Sequence, residues 1–116
     1  DVIEKTANVL TNLWVDRDRM LANIASQKGL VMAEKVMIEL VGHGIGRDEA
    51  HEILRAASFE AIENGEELID VCARTPAVAA AFSAEDLEEM FDPANHIGVS
   101  GEIVDEAVAL ARNAIQ

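Results

Sequence analysis

The 116-residue sequence predicts an all-α domain. Apolar residues recur at helical spacing through most of the chain, and no alternation of apolar and polar residues is long enough for a sheet. The two prolines, Pro76 and Pro93, both stand where a helix can begin, because the N–H that proline lacks has no helical partner there. Half of the residues are hydrophobic, which suffices for one core. We therefore expect one compact array of about six or seven helices.

The first predicted helix covers about residues 2–14 and carries an apolar face. No residue ahead of this helix is an evident cap, so we expect the end of a longer helix. Such an end has lost its neighbours. We therefore predict exposed apolar surface among Val9, Leu10, Leu13 and Trp14.

The next two helices are separated by a glycine. Asp16 can cap a second helix that carries Met20, Leu21 and Ile24. Gly29 interrupts the pattern, and the dense apolar residues that follow it predict a largely buried third helix. Glycines at positions 42 and 44 end that helix.

A fourth helix begins at Ile45 or Gly46 and stops at Asn64-Gly65, and a short helix over about residues 68–73 follows. Thr75 can cap a further short helix that begins with Pro76.

The last third of the chain carries three more start signals. Ser83 and Asp86 predict a capping box, and Asp92 predicts a cap ahead of Pro93. Gly98 permits a backbone reversal, after which Ser100 is expected to cap the final helix. That helix, from residue 101 to about 114, is predicted to present an apolar stripe to the core. The stripe consists of Ile103, Val104, Ala107, Val108 and Ala111.

The net charge of −13 argues against nucleic-acid binding, which needs a basic surface, and against an anionic membrane surface. No apolar run approaches the length of a membrane span, and the acidic start does not resemble a secretion signal. The single cysteine, Cys72, fits a reducing cytosol and is expected to pack as a small core residue. We therefore expect a cytoplasmic protein with neither a nucleic-acid nor a membrane partner.

The sequence shows no constellation typical of catalysis. His43, His51 and His96 lack metal-ligand spacing and are expected to have surface or packing roles. The run Asp16-Arg17-Asp18-Arg19 lacks the glycine and terminal glutamate of a calcium loop, and the glycines at 42–46 lack the lysine of a phosphate loop. Acidic runs at residues 60–70 and 85–89 predict solvated helix faces. We therefore predict no catalytic residue, no cofactor site and no metal site in this chain.

Several short motifs follow one another in a particular order. They are Asp18-Arg19-Met20-x-x-Asn23, Gly29–Val36, Gly44–Glu52, Leu87–Pro93, His96-Ile97-Gly98 and Ile103-Val104-Asp105. Together they cover nearly the whole chain, and their order resembles the C-terminal domain of adenylosuccinate lyase in the fumarase/aspartase superfamily. Carboxymuconate cycloisomerase shares this domain, and Ala33-Glu34-x-Val36-Met37 is comparably similar to that enzyme. The wording Glu89-Met90-Phe91-Asp92-Pro93 favours the lyase.

The resemblance implies a lyase of purine biosynthesis that releases fumarate by β-elimination from adenylosuccinate and from the succinylated aminoimidazole carboxamide ribotide. In that family a serine on a mobile loop and histidines of the first two domains act as base and acid. Neither motif is present here, so the resemblance transfers no catalytic residue and implies that the substrate binds elsewhere.

By the same resemblance, residues 1–15 form the end of a central-domain helix and residues 16–116 form the C-terminal helical domain. The partners implied are the rest of the lyase chain and its homotetramer, and the chain alone is expected to be structural and inactive. An independent helical module that docks a partner helix remains the alternative.

Overall fold

The computed structural model describes residues 1–115 and confirms the all-α class. This part of the chain contains eight α-helices and two short 3₁₀ helices, slightly more than expected, and no strand. The α-helices are α1 (Val2–Thr11), α2 (Arg17–Ala25), α3 (Ala33–Gly42), α4 (Arg47–Asn64), α5 (Leu68–Arg74), α6 (Pro76–Ala81), α7 (Ala84–Phe91) and α8 (Ser100–Ala114). The 3₁₀ helices are Leu30–Met32 and Pro93–His96.

The hydrophobic core is built by α3 to α7. Its largest fully buried side chains are Leu40, Leu68, Val36, Val71, Val78 and Cys72. The 18-residue α4 contributes alanines at three of its four buried positions, which allows the neighbouring helices to approach its backbone closely. The prediction that Cys72 packs as a core residue is confirmed.

Start and stop signals in the core helices act largely as predicted. Gly65 ends α4 in the left-handed conformation, with φ of 67°. Ser83 and Asp86 form the expected capping box at the start of α7. Thr75 is the exception, because its hydroxyl donates to the carbonyl oxygen of Val71 at 2.8 Å and caps no N–H of α6. Pro76 alone therefore provides the start signal of α6.

The first helix differs from the prediction at both ends. Asp1 caps α1, since its Oδ1 accepts a hydrogen bond from the Ile3 N–H at 3.3 Å. The expectation of an uncapped start was therefore wrong, and α1 ends at Thr11 rather than near residue 14. The prediction of exposed apolar surface is confirmed. Val9, Leu10, Leu13 and Trp14 are 63–79% exposed.

The final helix also differs from the prediction. Ser100 does not cap α8, because Val99 occupies the cap position and the Ser100 hydroxyl donates to the Ile97 carbonyl oxygen. None of the residues of α8 is buried. Its apolar stripe therefore does not face the core of this chain, contrary to the expectation for Ile103, Val104, Ala107, Val108 and Ala111. Periodicity identified the apolar face correctly but not what covers it.

The segment between α7 and α8 follows the predicted signals. Asp92 Oδ1 accepts a hydrogen bond from the Ala94 N–H at 2.9 Å, and Pro93 opens the second 3₁₀ helix. Gly98 adopts a positive φ of 55° and reverses the chain before α8. The described chain measures 59 × 29 × 25 Å, with the terminal helices contributing no buried residue.

Candidate functional site

The cleft that gathers most polar side chains lies where α3, α7 and the second 3₁₀ helix meet. Its volume is about 360 Å³. Its lining residues are Lys35, Glu39, His43, Phe82, Asp86, Glu89, Met90, Asn95 and His96. Two of the three histidines thus share one cleft, although they are far apart in the sequence and no spacing signal linked them.

Polar groups on the α3 side of the cleft are engaged in structural contacts. The Lys35 ammonium lies 2.5 Å from Glu39 Oε1, one helical turn further along α3. The His43 ring packs edge-on against the Phe82 ring, with centroids 4.8 Å apart and an angle of 79°. His43 therefore supports the end of α3 by packing.

Side chains on the opposite wall satisfy the last carbonyls of α7. The His96 ring Nε2 lies 2.8 Å from the Met90 carbonyl oxygen, which requires the proton on Nε2. The Asn95 amide donates to the Glu89 carbonyl oxygen at 2.9 Å. These two bonds occupy carbonyls that a helix end leaves without partners, so they hold the second 3₁₀ helix against α7.

Asp86 lines the cleft and belongs to the capping box at the start of α7. The pKa of this carboxyl is lowered, first by the hydrogen bond from the Ser83 hydroxyl and then by that from the Ser83 N–H. The carboxylate is therefore held ionised as a helix cap, the opposite of the raised pKa that a general acid requires.

The third histidine lies away from this cleft. His51 is exposed, and its Nδ1 lies 3.6 Å from Glu52 Oε1. Glu52 is engaged by Arg55, whose hydrogen bond is the main cause of the lowered pKa of the Glu52 carboxyl. Arg55 also lies 5.7 Å from the centre of the Phe59 ring. The histidine is thus part of an exposed charged row along α4.

Arg74 gathers two of the acidic residues from the run at positions 60–70. Its Nη2 lies 2.7 Å from Glu60 Oε1 and also contacts Glu66 Oε2. The hydrogen bond from Arg74 lowers the pKa of the Glu66 carboxyl, and these bonds raise the pKa of Arg74. This cluster joins the end of α5 to α4 and its C-terminal turn, so its role is to hold elements together.

The remaining candidate for reactive chemistry is Cys72. It is fully buried, and burial raises the pKa of its thiol to about 11. Since the thiolate is the nucleophilic form, this thiol is inert in the folded chain.

Within residues 1–115, no group of three or more His, Cys, Asp or Glu side chains could hold a metal ion. Asp16, the first acidic residue of the run compared with a calcium loop, caps α2 through a 2.9 Å hydrogen bond from the Arg19 N–H. In the same part of the chain, no helix is both long and apolar enough to cross a membrane.

Comparison with known proteins identifies the family. The family model described as "Adenylosuccinate lyase C-terminus" matches residues 29–107, which include the whole of the α3–α7 core. The chain belongs to this lyase family. The match does not favour the cycloisomerase alternative. No solved structure matches the chain significantly.

Several curated relatives in the lyase family align with almost the whole chain. The adenylosuccinate lyase of Methanocaldococcus jannaschii is 38% identical over 87% of this chain and 22% of its own length. That of Archaeoglobus fulgidus is 35% identical over 92% of this chain and 24% of its own length. A nitrosuccinate lyase of Streptomyces davaonensis is 37% identical over 86% of this chain and 21% of its own length. The chain thus spans less than a quarter of the lyases that it matches.

Proposed function

We propose that this chain is the C-terminal domain of a lyase that releases fumarate by β-elimination from adenylosuccinate and from the succinylated aminoimidazole carboxamide ribotide in purine biosynthesis. The observation that carries the proposal is the family match over residues 29–107, together with adenylosuccinate lyase relatives at 35% and 38% identity. The fully packed α3–α7 core supports a structural domain within such an enzyme.

In this proposal the chain supplies no catalytic residue and binds neither cofactor nor metal. The support is chemical. A general base needs a pKa near the working pH and a hydrogen-bond route to the substrate. The carboxyl groups of Glu52, Glu66 and Asp86 have lowered pKa values, because arginine or serine donates hydrogen bonds to them. The catalytic base, the catalytic acid and the residues that bind the substrate would accordingly belong to the rest of the enzyme.

The proposed partners are the remainder of the lyase chain and, through it, the homotetramer. We assign residues 1–15 to the end of a central-domain helix and residues 16–116 to the C-terminal domain. Support comes from Val2, Ile3, Val9 and Leu10, which form an exposed apolar face on α1. A helix with such a face is stable in water only when a neighbour covers it. Cytoplasmic location belongs to the same proposal and is supported by the single, reduced cysteine.

A chimera tests the proposal directly. The matching segment of the Methanocaldococcus jannaschii adenylosuccinate lyase is replaced by this chain, and fumarate release from adenylosuccinate is followed by ultraviolet absorbance. We expect activity within about 10-fold of the host enzyme, since a poorly docked domain that misplaces the site costs about 100-fold. The isolated 116-residue chain is expected to release no fumarate.

The matched control is the same host carrying the Archaeoglobus fulgidus segment, which is also a curated adenylosuccinate lyase segment. If that control is active while the chimera with this chain folds and is inactive, the proposal is wrong. Turnover by the isolated chain that scales with its concentration would equally contradict it.

One of the relatives suggests an alternative substrate. The Streptomyces davaonensis protein that is 37% identical to this chain is named a nitrosuccinate lyase, so similarity in this domain does not separate the two substrates. The full-length enzyme is therefore assayed with nitrosuccinate beside adenylosuccinate. A higher kcat/KM on nitrosuccinate would replace the proposed substrate and leave the lyase assignment in place.

A further inference from the structure

An apolar groove lies between α2, the first 3₁₀ helix, the start of α5 and the end of α7. Its volume is about 480 Å³, within the range of clefts that take up a ligand or several side chains. The groove is formed mainly by Leu21, Ile24, Val31, Ile69, Phe91 and Pro93. Ile69 and Phe91 pack against the core, whereas Leu21 and Val31 are 63% and 54% exposed. Such a surface favours an apolar occupant.

Helix α2 forms one wall of this groove and buries none of its own nine residues. Leu21, Ile24 and Ala25 line the groove at i, i+3 and i+4 spacing, and Met20 beside them is 57% exposed. Isolated helices shorter than about 12–15 residues are marginal in water, and helices in proteins depend on the packing of an apolar face. Helix α2 therefore needs a neighbour on the face that lines the groove.

Charged residues are distributed unevenly between this region and the core. Residues 6–27 contain four charged residues, two acidic and two basic, all of them at positions 16–19. Residues 28–96 contain fifteen acidic and five basic residues, which gives a net charge of −10. The central part of a protein–protein interface is depleted of charged residues. Residues 6–27 therefore have the composition of a surface that another protein surface covers.

The connection between α1 and α2 indicates which protein surface lies nearest. Helix α1 ends at Thr11 and α2 begins at Arg17, so the connection spans at most about 22 Å, or about two helix diameters. In the proposed enzyme α1 ends a helix of the central domain. The neighbours that cover the apolar face of α1 are therefore within reach of α2 and of the groove.

The length of the relatives indicates how much protein lies on that side. The family match assigns the chain to the C-terminal part of a lyase, and the chain spans only 22–24% of the two archaeal adenylosuccinate lyases. In the proposed enzyme about three quarters of the protein therefore precede residue 1. A short connection keeps that part at a high effective concentration, which a second copy with its own charge of −13 lacks.

We propose that the groove and the adjoining face of α2 bind an apolar helix from the part of the lyase chain that precedes residue 1. This contact continues the one proposed for α1 across the connection and into the C-terminal domain. Met20, Leu21 and Ile24 are then buried in the full-length enzyme. The identity of the occupant rests on the proposed function, whereas the coverage of the groove is measured without any assay of activity.

Thiol labelling of the full-length enzyme measures whether the groove is covered. Leu21→Cys places a thiol in the groove, whereas Ile38→Cys places one on α3, away from the groove. The positions are matched, because both carry aliphatic helix residues that are 63% and 54% exposed in this chain. The native thiol of Cys72 does not compete, since its burial raises its pKa to about 11.

Labelling by a maleimide is followed at each site by peptide mass spectrometry. L21C should react at least about 10-fold more slowly than I38C in the native enzyme, because a covered thiol reacts only when the contact opens. The two variants should react at equal rates in urea. Equal rates in the native enzyme would overturn the proposal.

A photo-crosslinker identifies the occupant. The photoreactive amino acid p-benzoylphenylalanine replaces Met20, which lies beside the groove residues, and the peptides joined to it are identified by mass spectrometry. Peptides from the part of the chain before residue 1 would support the proposal. Peptides from residues 1–116 of a second copy would overturn it.

Fumarate release by the same full-length enzyme separates this proposal from the proposed function. If the enzyme releases fumarate while L21C and I38C are labelled equally fast, the groove proposal is wrong and the lyase assignment stands. If L21C is protected and the crosslink joins the preceding part of the chain, but no fumarate is released, the lyase assignment is wrong and the docking surface stands.

Discussion

At the residue scale, the joint between α2 and the core is the most constrained point of the backbone. Lys28 has a φ of 50° and Gly29 a φ of 77°, so two successive residues lie in the left-handed region. The Lys28 carbonyl oxygen accepts a hydrogen bond from the Leu68 N–H at 2.9 Å, and its ammonium donates to the Gly65 carbonyl oxygen. These contacts tie the joint to the turn between α4 and α5, so the direction of α2 depends on them.

Gly29→Ala should destabilise the chain for two separate reasons. A left-handed conformation costs a residue with a Cβ about 1–2 kcal/mol, and that Cβ would lie 2.9 Å from Cε1 of the half-buried Phe91 ring. Displacing the ring adds about 1 kcal/mol or more. We expect the free energy of unfolding in urea to fall by about 2–3 kcal/mol in total.

Gly44→Ala is the matched control, because Gly44 has a φ of 92° and a Cβ there would meet nothing within 4 Å. The Gly44→Ala variant should therefore lose only the free energy of the left-handed conformation, about 1–2 kcal/mol. If the two variants are equally destabilised, the contact with Phe91 contributes nothing. A Phe91→Leu background should reduce the difference between them.

At the element scale, two serines at helix starts have opposite roles. The Ser83 hydroxyl accepts a hydrogen bond from the Asp86 N–H at 3.1 Å, and the Ser83 N–H donates to Asp86 Oδ2 at 2.8 Å. The Ser100 hydroxyl donates to the Ile97 carbonyl oxygen and satisfies no helix N–H. Ser83→Ala should therefore lower the free energy of unfolding by about 1 kcal/mol, whereas Ser100→Ala should change it by less than about 0.5 kcal/mol.

Both alanine variants are compared by urea unfolding at one protein concentration. The comparison is closely matched, because both serines are exposed and both substitutions remove one hydroxyl. An equal loss in the two variants would mean that the capping box adds nothing to the stability of α7.

The same two serines show what the sequence could predict about the elements. The capping box at Ser83, the left-handed Gly65 and the cap at Asp92 could be predicted from the sequence. Each of these features depends only on residues that are close together in the chain. Ser100 matched the residue type of a cap, but Val99 occupies the cap position after the chain reversal at Gly98. A pattern of residue types does not contain that backbone geometry.

Burial of whole elements was predictable only where the partner lies in the same chain. α3 and α4 meet in the core, with Val36 and Leu54 among the buried residues. The third helix was predicted to be largely buried, but only one face of α3 is, since Val41 is 40% exposed. The stripe of α8 has the same periodicity but no partner within residues 1–115. The polar cleft could not be predicted from the sequence either, because His43 and His96 are brought together only by the packing of α7 beside α3.

At the scale of the whole molecule, stability should be divided sharply between the core and the terminal helices. Two helices of equal length make the comparison. α1 and α3 each contain 10 residues, yet α1 buries no side chain whereas α3 buries Val36 and Leu40. An isolated helix shorter than about 12–15 residues is marginal in water, so α1 lacks the tertiary packing that makes a helix persist. α3 opens only when the core opens.

Hydrogen exchange measured by mass spectrometry should therefore separate them. Amides of α3 are expected to exchange at least about 100-fold more slowly than those of α1, because their exchange requires global unfolding whereas α1 frays locally. Equal protection of α1 and α3 would show that α1 packs on a surface within the chain, and would remove the physical support for assigning residues 1–15 to a partner domain.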